Sequence, residues 1–506
     1  MILFSLLVSF IFWLFNLSFW ILLLSLPFGV AYYFYLRHRS KYFQRLSLPG
    51  PPITSIFLGN LEEFERNGKN HEKLLEWHQT YGPTFGMLQG AHRVIVTSDL
   101  NILNEVYVKQ FPTFQARMIH PTFAVDQVNG SQLTLFFTQG NQWKRLRALF
   151  AASLTVPKIK SVEPIMKKAH HELYQAFKRN ENKVIDVIPD YLQKVVNILG
   201  TKETSKSIIA SFFAGSWDFL CITKYFQILQ FLTIFREALQ LRDNIIQAIT
   251  ERENESPTSK RDRDFLDFLR EAQEDDIDTT NKPDLDRKIP KKLTRDELIG
   301  AAQGYLFGGA DTTATLINYC LYELTLNPEF EEIILQEIED YIKDEDDINY
   351  NNVKNLEFLE RFVKETARLH PFAYLAAMRR AIEPTTLELS DGSKLQIDKD
   401  TAILPNMIVI CKDEKVWGKN ASKFNPDRFL PENSKDRHTL AWMPFGAGPR
   451  ICPGKTLAIY ETKATLICLL QNFKFQLYDK IELNEVTKTF MNFDSLKMKI
   501  ILRKDA

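Results

Sequence analysis

Between Thr294 and Pro328 the chain has room for one uninterrupted helix, and that element sets the scale of whatever folds around it. Thr294-Arg295-Asp296-Glu297 has the capping-box form, in which a Thr hydroxyl and a Glu carboxylate satisfy orphan N–H groups of the first turn. Asn327-Pro328 supplies the stop. About 32 residues at 1.5 Å each give roughly 48 Å, enough to cross an entire domain. Yet Gly300, Gly304, Gly308 and Gly309 lie inside it, and each costs up to about 1 kcal/mol relative to Ala. Something must require that loss.

The chain as a whole, 506 residues, is long enough for a large core or for two to four domain-sized units. It carries 63 Lys+Arg against 63 Asp+Glu, so it lacks the basic excess of a nucleic-acid binder and is not dominated by an acidic tail. Aromatics make up 12%, with 38 Phe, which suits a big apolar interior or a pocket for an apolar ligand. Helical periodicity dominates from about Asn101 onward. Strand-like pieces stand near Arg93–Thr97, Thr386–Leu389, Lys394–Ile397 and Lys497–Leu502. The fold class expected is mostly α with small β-sheets. The charge-dense stretch Glu251–Lys292 reads as a surface loop around a short helix at Phe265–Glu274.

The N-terminal segment is of another kind. Met1 to Leu36 contains no Lys, Arg, Asp or Glu, whereas a bilayer span needs only about 20 apolar residues. It is too long and lacks the basic start of a cleavable signal peptide, so a retained transmembrane anchor is expected. Arg37, Arg39, Lys41 and Arg45 follow, which by the positive-inside rule places the rest of the chain in the cytosol. Leu48-Pro49-Gly50-Pro51-Pro52 then reads as a stiff spacer. The organisation expected is an anchor over 1–36, a basic collar and proline-rich hinge over 37–52, and one catalytic domain over 53–506.

Five cysteines (Cys221, Cys320, Cys411, Cys452, Cys468) show neither C-x-x-C nor zinc spacing, and His71-Glu72 and His171-Glu172 do not extend to H-E-x-x-H. Cys452 differs from the others in its setting. It lies in Pro444-Phe445-Gly446-Ala447-Gly448-Pro449-Arg450-Ile451-Cys452-Pro453-Gly454-Lys455-Thr456, a Gly/Pro-rich turn ahead of a helical run from about Lys455 to Leu470. Backbone N–H groups in such a turn and the helix N-terminus stabilise a thiolate, which can ligate iron or act as a nucleophile. The turn matches neither a P-loop nor a dinucleotide loop.

Phe445, Gly448, Arg450, Cys452 and Gly454 resemble the F-x-x-G-x-R-x-C-x-G haem-binding loop of the cytochrome P450 family. Other segments follow in the family's order. Gly308-Gly309-Ala310-Asp311-Thr312-Thr313 is similar to its oxygen-binding helix segment, and the resemblance gives the glycines a reason: the helix can lie against a haem face and bulge there. Glu365 and Arg368 resemble the E-x-x-R pair, which Arg428 of a P-x-R-F-like segment would complete as a structural network. Trp143 and Arg147 match W-x-x-x-R, implying contacts to a haem propionate, shared with Arg450 and with either Arg379 or Arg380.

The resemblance implies haem b ligated by Cys452, with Thr312 positioning dioxygen and Asp311 connecting to a proton source. It implies insertion of one oxygen atom from O2 into a lipophilic small-molecule substrate. Electrons would come from an NADPH-dependent flavoprotein reductase at the endoplasmic reticulum membrane, with Lys144 and Arg145 in its docking patch. The pocket would draw on Pro112–Phe123, Phe212–Phe219, Leu306–Ala310, Tyr374–Ala377 and Phe490–Phe493. The alternative is a haem-thiolate isomerase or dehydratase of a peroxide, against which the intact Asp311-Thr312 pair argues.

Overall fold

The computed structural model describes residues 25–90, 92–118, 134–187, 242–255, 261–272, 292–390, 392–478, 484–487 and 490–503. Its principal helices are α1 (Asn70–Tyr81), α2 (Gly140–Ala152), α3 (Glu163–Lys178), α4 (Phe265–Glu271), α5 (Arg295–Tyr305), α6 (Asp311–Leu326), α7 (Pro328–Tyr341), α8 (Glu357–Leu369) and α9 (Lys455–Asn472). The architecture is mostly helical with small sheets.

The long helix exists, with one interruption. Thr294 Oγ1 accepts from Glu297 N at 3.3 Å while Glu297 Oε2 accepts from Thr294 N at 2.9 Å, so the capping box closes. The α-helical pattern then gives way to a π-helical turn over Leu306–Ala310 before α6 resumes. Such turns widen a helix and open its backbone, and they concentrate at functional sites. Beyond it, α6 is buried on nearly every side, from Thr313 through Leu321. A helix with apolar residues all round has to run through the centre of the molecule. α9 is buried likewise from Tyr460 to Leu470 and packs on α6 and α8.

The largest sheet has strand order β1-β2-β7-β4, with β1 (Thr84–Gln89), β2 (His92–Thr97), β4 (Arg379–Arg380) and β7 (Ala402–Pro405). β1 and β2 form an antiparallel hairpin pairing Thr84 with Thr97, whereas β2 runs parallel to β7, Val94 opposite Ala402. Because a parallel partner needs a crossover, the chain between β2 and β7 can supply the helical body. β3 (Val184–Asp186) pairs with β11 (Lys497–Leu502) and β11 with β8 (Phe473–Leu477). β5 (Thr385–Glu388) pairs with β6 (Lys394–Ile397), and β9 (Glu485–Thr487) with β10 (Met491–Phe493).

Two expectations change. The short helix expected at Phe265–Glu274 is α4, but it is packed inward: Phe265, Leu266, Phe268 and Leu269 are buried and its capping box links Asp264 and Asp267, while most of the expected loop around it lies outside the described residues. The proline segment, expected to be a stiff spacer, is also docked on the first strand. Pro49 O accepts from Gly86 N at 2.8 Å, Pro52 O accepts from Asn60 Nδ2 at 2.8 Å, and a Cβ on Gly50 would stand 2.0 Å from Gly86 O. Only glycine permits this approach of segment to strand.

Residues 25–40 are helical with Leu26, Phe28 and Phe34 exposed. Among the described residues no helix is long and apolar enough to cross a membrane. Residues 1–24, most of the expected anchor, lie outside the described residues, as do Cys221 and the expected pocket segments 119–123 and 212–219.

Candidate active site

The Cys452 loop is held by its own backbone. Gly446 and Gly448 adopt φ of 74° and 65°, and a Cβ at Gly448 would lie 2.1 Å from Tyr107 O. Gly446 N donates to Met443 O at 2.9 Å, Ile451 N to Gly448 O at 3.0 Å and Cys452 N to Phe445 O at 2.8 Å. Phe445 packs its ring 6.0 Å from that of Trp442, whose Nε1 donates to Lys364 O of α8 at 3.1 Å. Gly454 caps α9 immediately behind the loop.

The described cysteines separate into two settings. Cys320, Cys411 and Cys468 are buried, and burial pushes the Cys411 and Cys468 thiols up to about 12 and that of Cys320 further. Cys452 is partly exposed. Burial raises its thiol too, but the Gly454 N–H and the charges of Arg147, Arg117 and Lys455 oppose the rise. A sulfur with an N–H and three cations about it is suited to carry negative charge.

Arg450 of this loop belongs to a group of arginines. Arg450 donates through Nη1 to Phe136 O at 3.3 Å and through Nη2 to Thr138 O, and its guanidinium sits 4.6 Å over the Trp143 ring. Arg379 donates through Nη1 to Ala377 O at 3.0 Å and Met378 O at 3.1 Å. Arg117, which no sequence pattern had singled out, donates to Ala376 O and stacks 4.0 Å over Phe136. Arg117 Nε, Arg379 Nε and Nη2, and Arg450 Nε are buried without an acceptor. None of the three ion-pairs with a carboxylate among the described residues. Burial lowers all three below the usual guanidinium range, helped at Arg117 by Arg379 and Arg450 and at Arg450, which falls to about 9, by Arg379 and Arg147.

Buried cations without counter-ions are costly, so this group fits an anionic ligand with more than one carboxylate, as a haem's propionates provide. Arg147 is half-buried on the same helix as Trp143. Arg380 is differently placed: it pairs with Asp400 and donates to Gln139 Oε1 at 3.2 Å. Of the two candidates, Arg379 is the one left with free donors in the buried group.

The π-turn leads directly into Asp311 and Thr312. A Cβ on Gly308 or Gly309 would meet no atom within 4 Å, in contrast to Gly448. Packing among the described residues therefore does not demand glycine at either position. Thr312 and Asp311 are half-buried, and Thr312 Oγ1 donates to Gly308 O at 2.5 Å. That bond consumes the hydroxyl proton and leaves the Oγ1 lone pairs to accept.

Behind the loop, Glu365, Arg368 and Arg428 lie together. Arg368 meets Glu365 at two points and donates onward to Ala421 O at 2.7 Å, while Arg428 Nε stands 3.5 Å from Glu365 Oε1. Asn425 N also donates to Glu365 Oε1 at 2.8 Å. One expected surface role is overturned. Arg145 is buried, pairing with Glu297 at 2.5 Å and donating to Lys292 O at 2.6 Å, so it is unavailable to a docking partner; Lys144 is exposed.

A cysteine ringed by opposing cations, arginines with orphan donors and a glycine-bearing π-turn are the parts of a haem-thiolate site. The chain belongs to the cytochrome P450 family, whose model matches residues 49–499. Among its relatives are two Caenorhabditis elegans proteins named as cytochromes P450. One, cyp-13B1, is 28% identical over 88% of this chain and 91% of its own. The other, CYP13A2, is 27% identical over 87% and 90%. Family membership makes the protein an oxidoreductase monooxygenase; the family binds haem through a cysteine thiolate and uses O2 and a redox partner on lipophilic substrates.

Proposed function

We propose that this chain is a membrane-anchored monooxygenase of the endoplasmic reticulum, with its catalytic domain in the cytosol, acting on a lipophilic substrate with electrons from an NADPH-dependent flavoprotein reductase. The supporting observation is Cys452, with the Gly454 N–H and nearby cations, together with buried Arg379 and Arg450 and half-buried Arg117, none of which ion-pairs with a carboxylate among the described residues. Cys452 would ligate the iron of haem b. Arg117, Arg379 and Arg450 would donate to the propionates, with Trp143 and Arg147 beside them. Bound there, the haem supplies oxygen activation, to which a thiolate ligand contributes electron density.

The chain's own residues do the rest. The π-turn at Gly308 and Gly309 leaves the helix face flat, Thr312 Oγ1 accepts and orients a hydrogen bond, and the Asp311 carboxylate holds or passes a proton. Phe445, Gly448 and Gly454 shape the loop, and Glu365, Arg368 and Arg428 brace it. The uncharged residues through Leu36 and the basic collar support the anchor; Lys144 remains a candidate docking contact. NADPH oxidation by reductase and enzyme that rises with a lipophilic substrate, one oxygen atom of 18O2 entering the product, is the expected result. Turnover of a hydroperoxide without NADPH, and none with it, would overturn this reading in favour of an isomerase.

A further inference from the structure

A stripe along α6 starts at the reactive segment and is occupied by a hairpin. Asp311, Thr315, Tyr319 and Glu323 follow one another at i+4, so they share a helix face, with Thr312 and Tyr322 beside it. The β9–β10 hairpin lies along that face. Asn492 Nδ2 donates to Thr315 Oγ1 at 3.1 Å, one turn from Asp311. Phe493 packs 4.6 Å from the Tyr319 ring and 5.2 Å from that of Tyr322.

The outer end of the stripe is a partly buried polar group. Tyr319 OH donates to Glu485 Oε1 of β9 at 3.0 Å. His370, where α8 ends, stacks on Tyr319 at 4.2 Å and lies between two carboxylates: Nε2 is 2.7 Å from Glu323 Oε1 and Nδ1 is 3.4 Å from Glu485 Oε1. Met491 N donates to Phe372 O at 3.0 Å. Both ring nitrogens are donors only in the imidazolium, so the charged form alone bonds helix and hairpin at once.

We propose that Glu323, His370 and Glu485 are positioning residues, a clasp that fixes the β9–β10 hairpin in register on the Asp311–Thr312 stripe, with Asn492 as the inner pin, and so sets which lipophilic substrates reach Thr312. The specificity part rests on the monooxygenase reading. Burial disfavours a charged His370, but the bonds and charges of Glu323 and Glu485 outweigh it and raise its pKa. The groups facing it are Tyr319, Tyr322 and Glu323 from α6 and Glu485 from β9. Beyond Glu485 stands His71 of α1, lowered by burial and flanked by Glu72, Lys69 and Lys412, and Tyr374, which feels Glu65. A raised histidine pKa stabilises the folded arrangement fully below the unfolded value of about 6.5 and loses that contribution as pH rises through the folded value.

The test is hydrogen exchange of the Met491 and Phe493 amides in the full-length holoprotein across the histidine range, normalised for intrinsic rates. In the wild type, exchange should quicken as pH rises. His370→Phe, which keeps the stack, should exchange about tenfold faster at acid pH, as expected for losing a charged hydrogen bond, and with no pH response. Glu485→Gln, which keeps an acceptor for Tyr319, should move the midpoint to lower pH. Asn492→Ala should shift the ratio of ferric-haem affinities for 4-phenylimidazole and imidazole while the thiolate signature of the carbon-monoxide complex stays. A pH-independent wild type, or Glu485→Gln exchanging as wild type does, would overturn the clasp. An unchanged azole ratio in Asn492→Ala would overturn its link to specificity. Absence of the thiolate signature in the wild type would instead defeat the haem reading, while the exchange arms still decide the clasp.

Discussion

Arg368 grips Glu365 at two points, Nε to Oε2 at 2.6 Å and Nη2 to Oε1 at 2.7 Å, and neither side chain touches solvent. The i,i+3 spacing on α8 makes the bidentate fit possible. The pair is a bracket rather than a reacting group. Through Ala421 O and Asn425 N it ties α8 to the segment ahead of the Cys452 loop, and Trp442 bonds Lys364 O on the same helix.

Removing one partner leaves a buried charge alone. Glu365→Ala or Arg368→Ala is expected to cost about 3–5 kcal/mol in chemical unfolding of the holoprotein and to accelerate haem loss. Arg428→Ala should cost less, because Arg428 stands 3.5 Å from Glu365 and bonds chiefly to carbonyls such as Asn420 O at 2.7 Å.

Arg379 and Arg380 are adjacent and should behave oppositely. Arg379→Leu removes a desolvated cation with orphan donors, so the haem-free protein should hold its stability while haem transfer to apomyoglobin quickens. Arg380→Leu breaks the Asp400 pair and should leave the transfer rate near wild type.

Glu461 of α9 is 2% exposed with Oε1 unpartnered, and burial pushes it up to about 8. Because the folded value lies above the unfolded 4.5, ionisation opposes folding, and stability should fall as pH climbs between those two values. Glu461→Gln should flatten that decline, with a gain of a few kcal/mol at the alkaline end. Unfolding midpoints at several pH values measure it; parallel curves for the two proteins would contradict it.

Arg145 and Lys144 separate a core role from a surface one. Arg145→Ala strands the carboxylate of Glu297, which also caps α5, and should destabilise by about 3–5 kcal/mol. Lys144→Ala should stay within about 0.5 kcal/mol and act, if at all, on the salt dependence of electron transfer from the reductase.

Much of this was legible because the signals were local. The capping box at Thr294, the stop at Pro328, the β5 and β6 pieces and the run from Lys455 follow from spacing alone, and the structure has them within a few residues. The cost of Gly308 and Gly309 pointed to the place where the π-turn lies. What escaped depends on contacts distant in sequence. β4 and β7 are too short to show a period and exist because β2 pairs with one and through it the other. Arg117 carries no motif; it joins the arginine group because Ala116 bridges to Arg380 across the fold. Arg145 and Arg147 look alike on paper, and Glu297, far along the chain, decides that Arg145 is internal. His370 likewise meets Glu485 only through the hairpin's return to α6.

The proposed function depends on a Cys452 thiolate ligating the haem iron. The most direct test is the absorption spectrum of the dithionite-reduced, carbon-monoxide-treated full-length protein. A strongly red-shifted Soret band, lost in Cys452→Ala and kept in Cys468→Ala, is the result expected. An unshifted band in the wild type, or a shifted one that survives Cys452→Ala, would contradict the account.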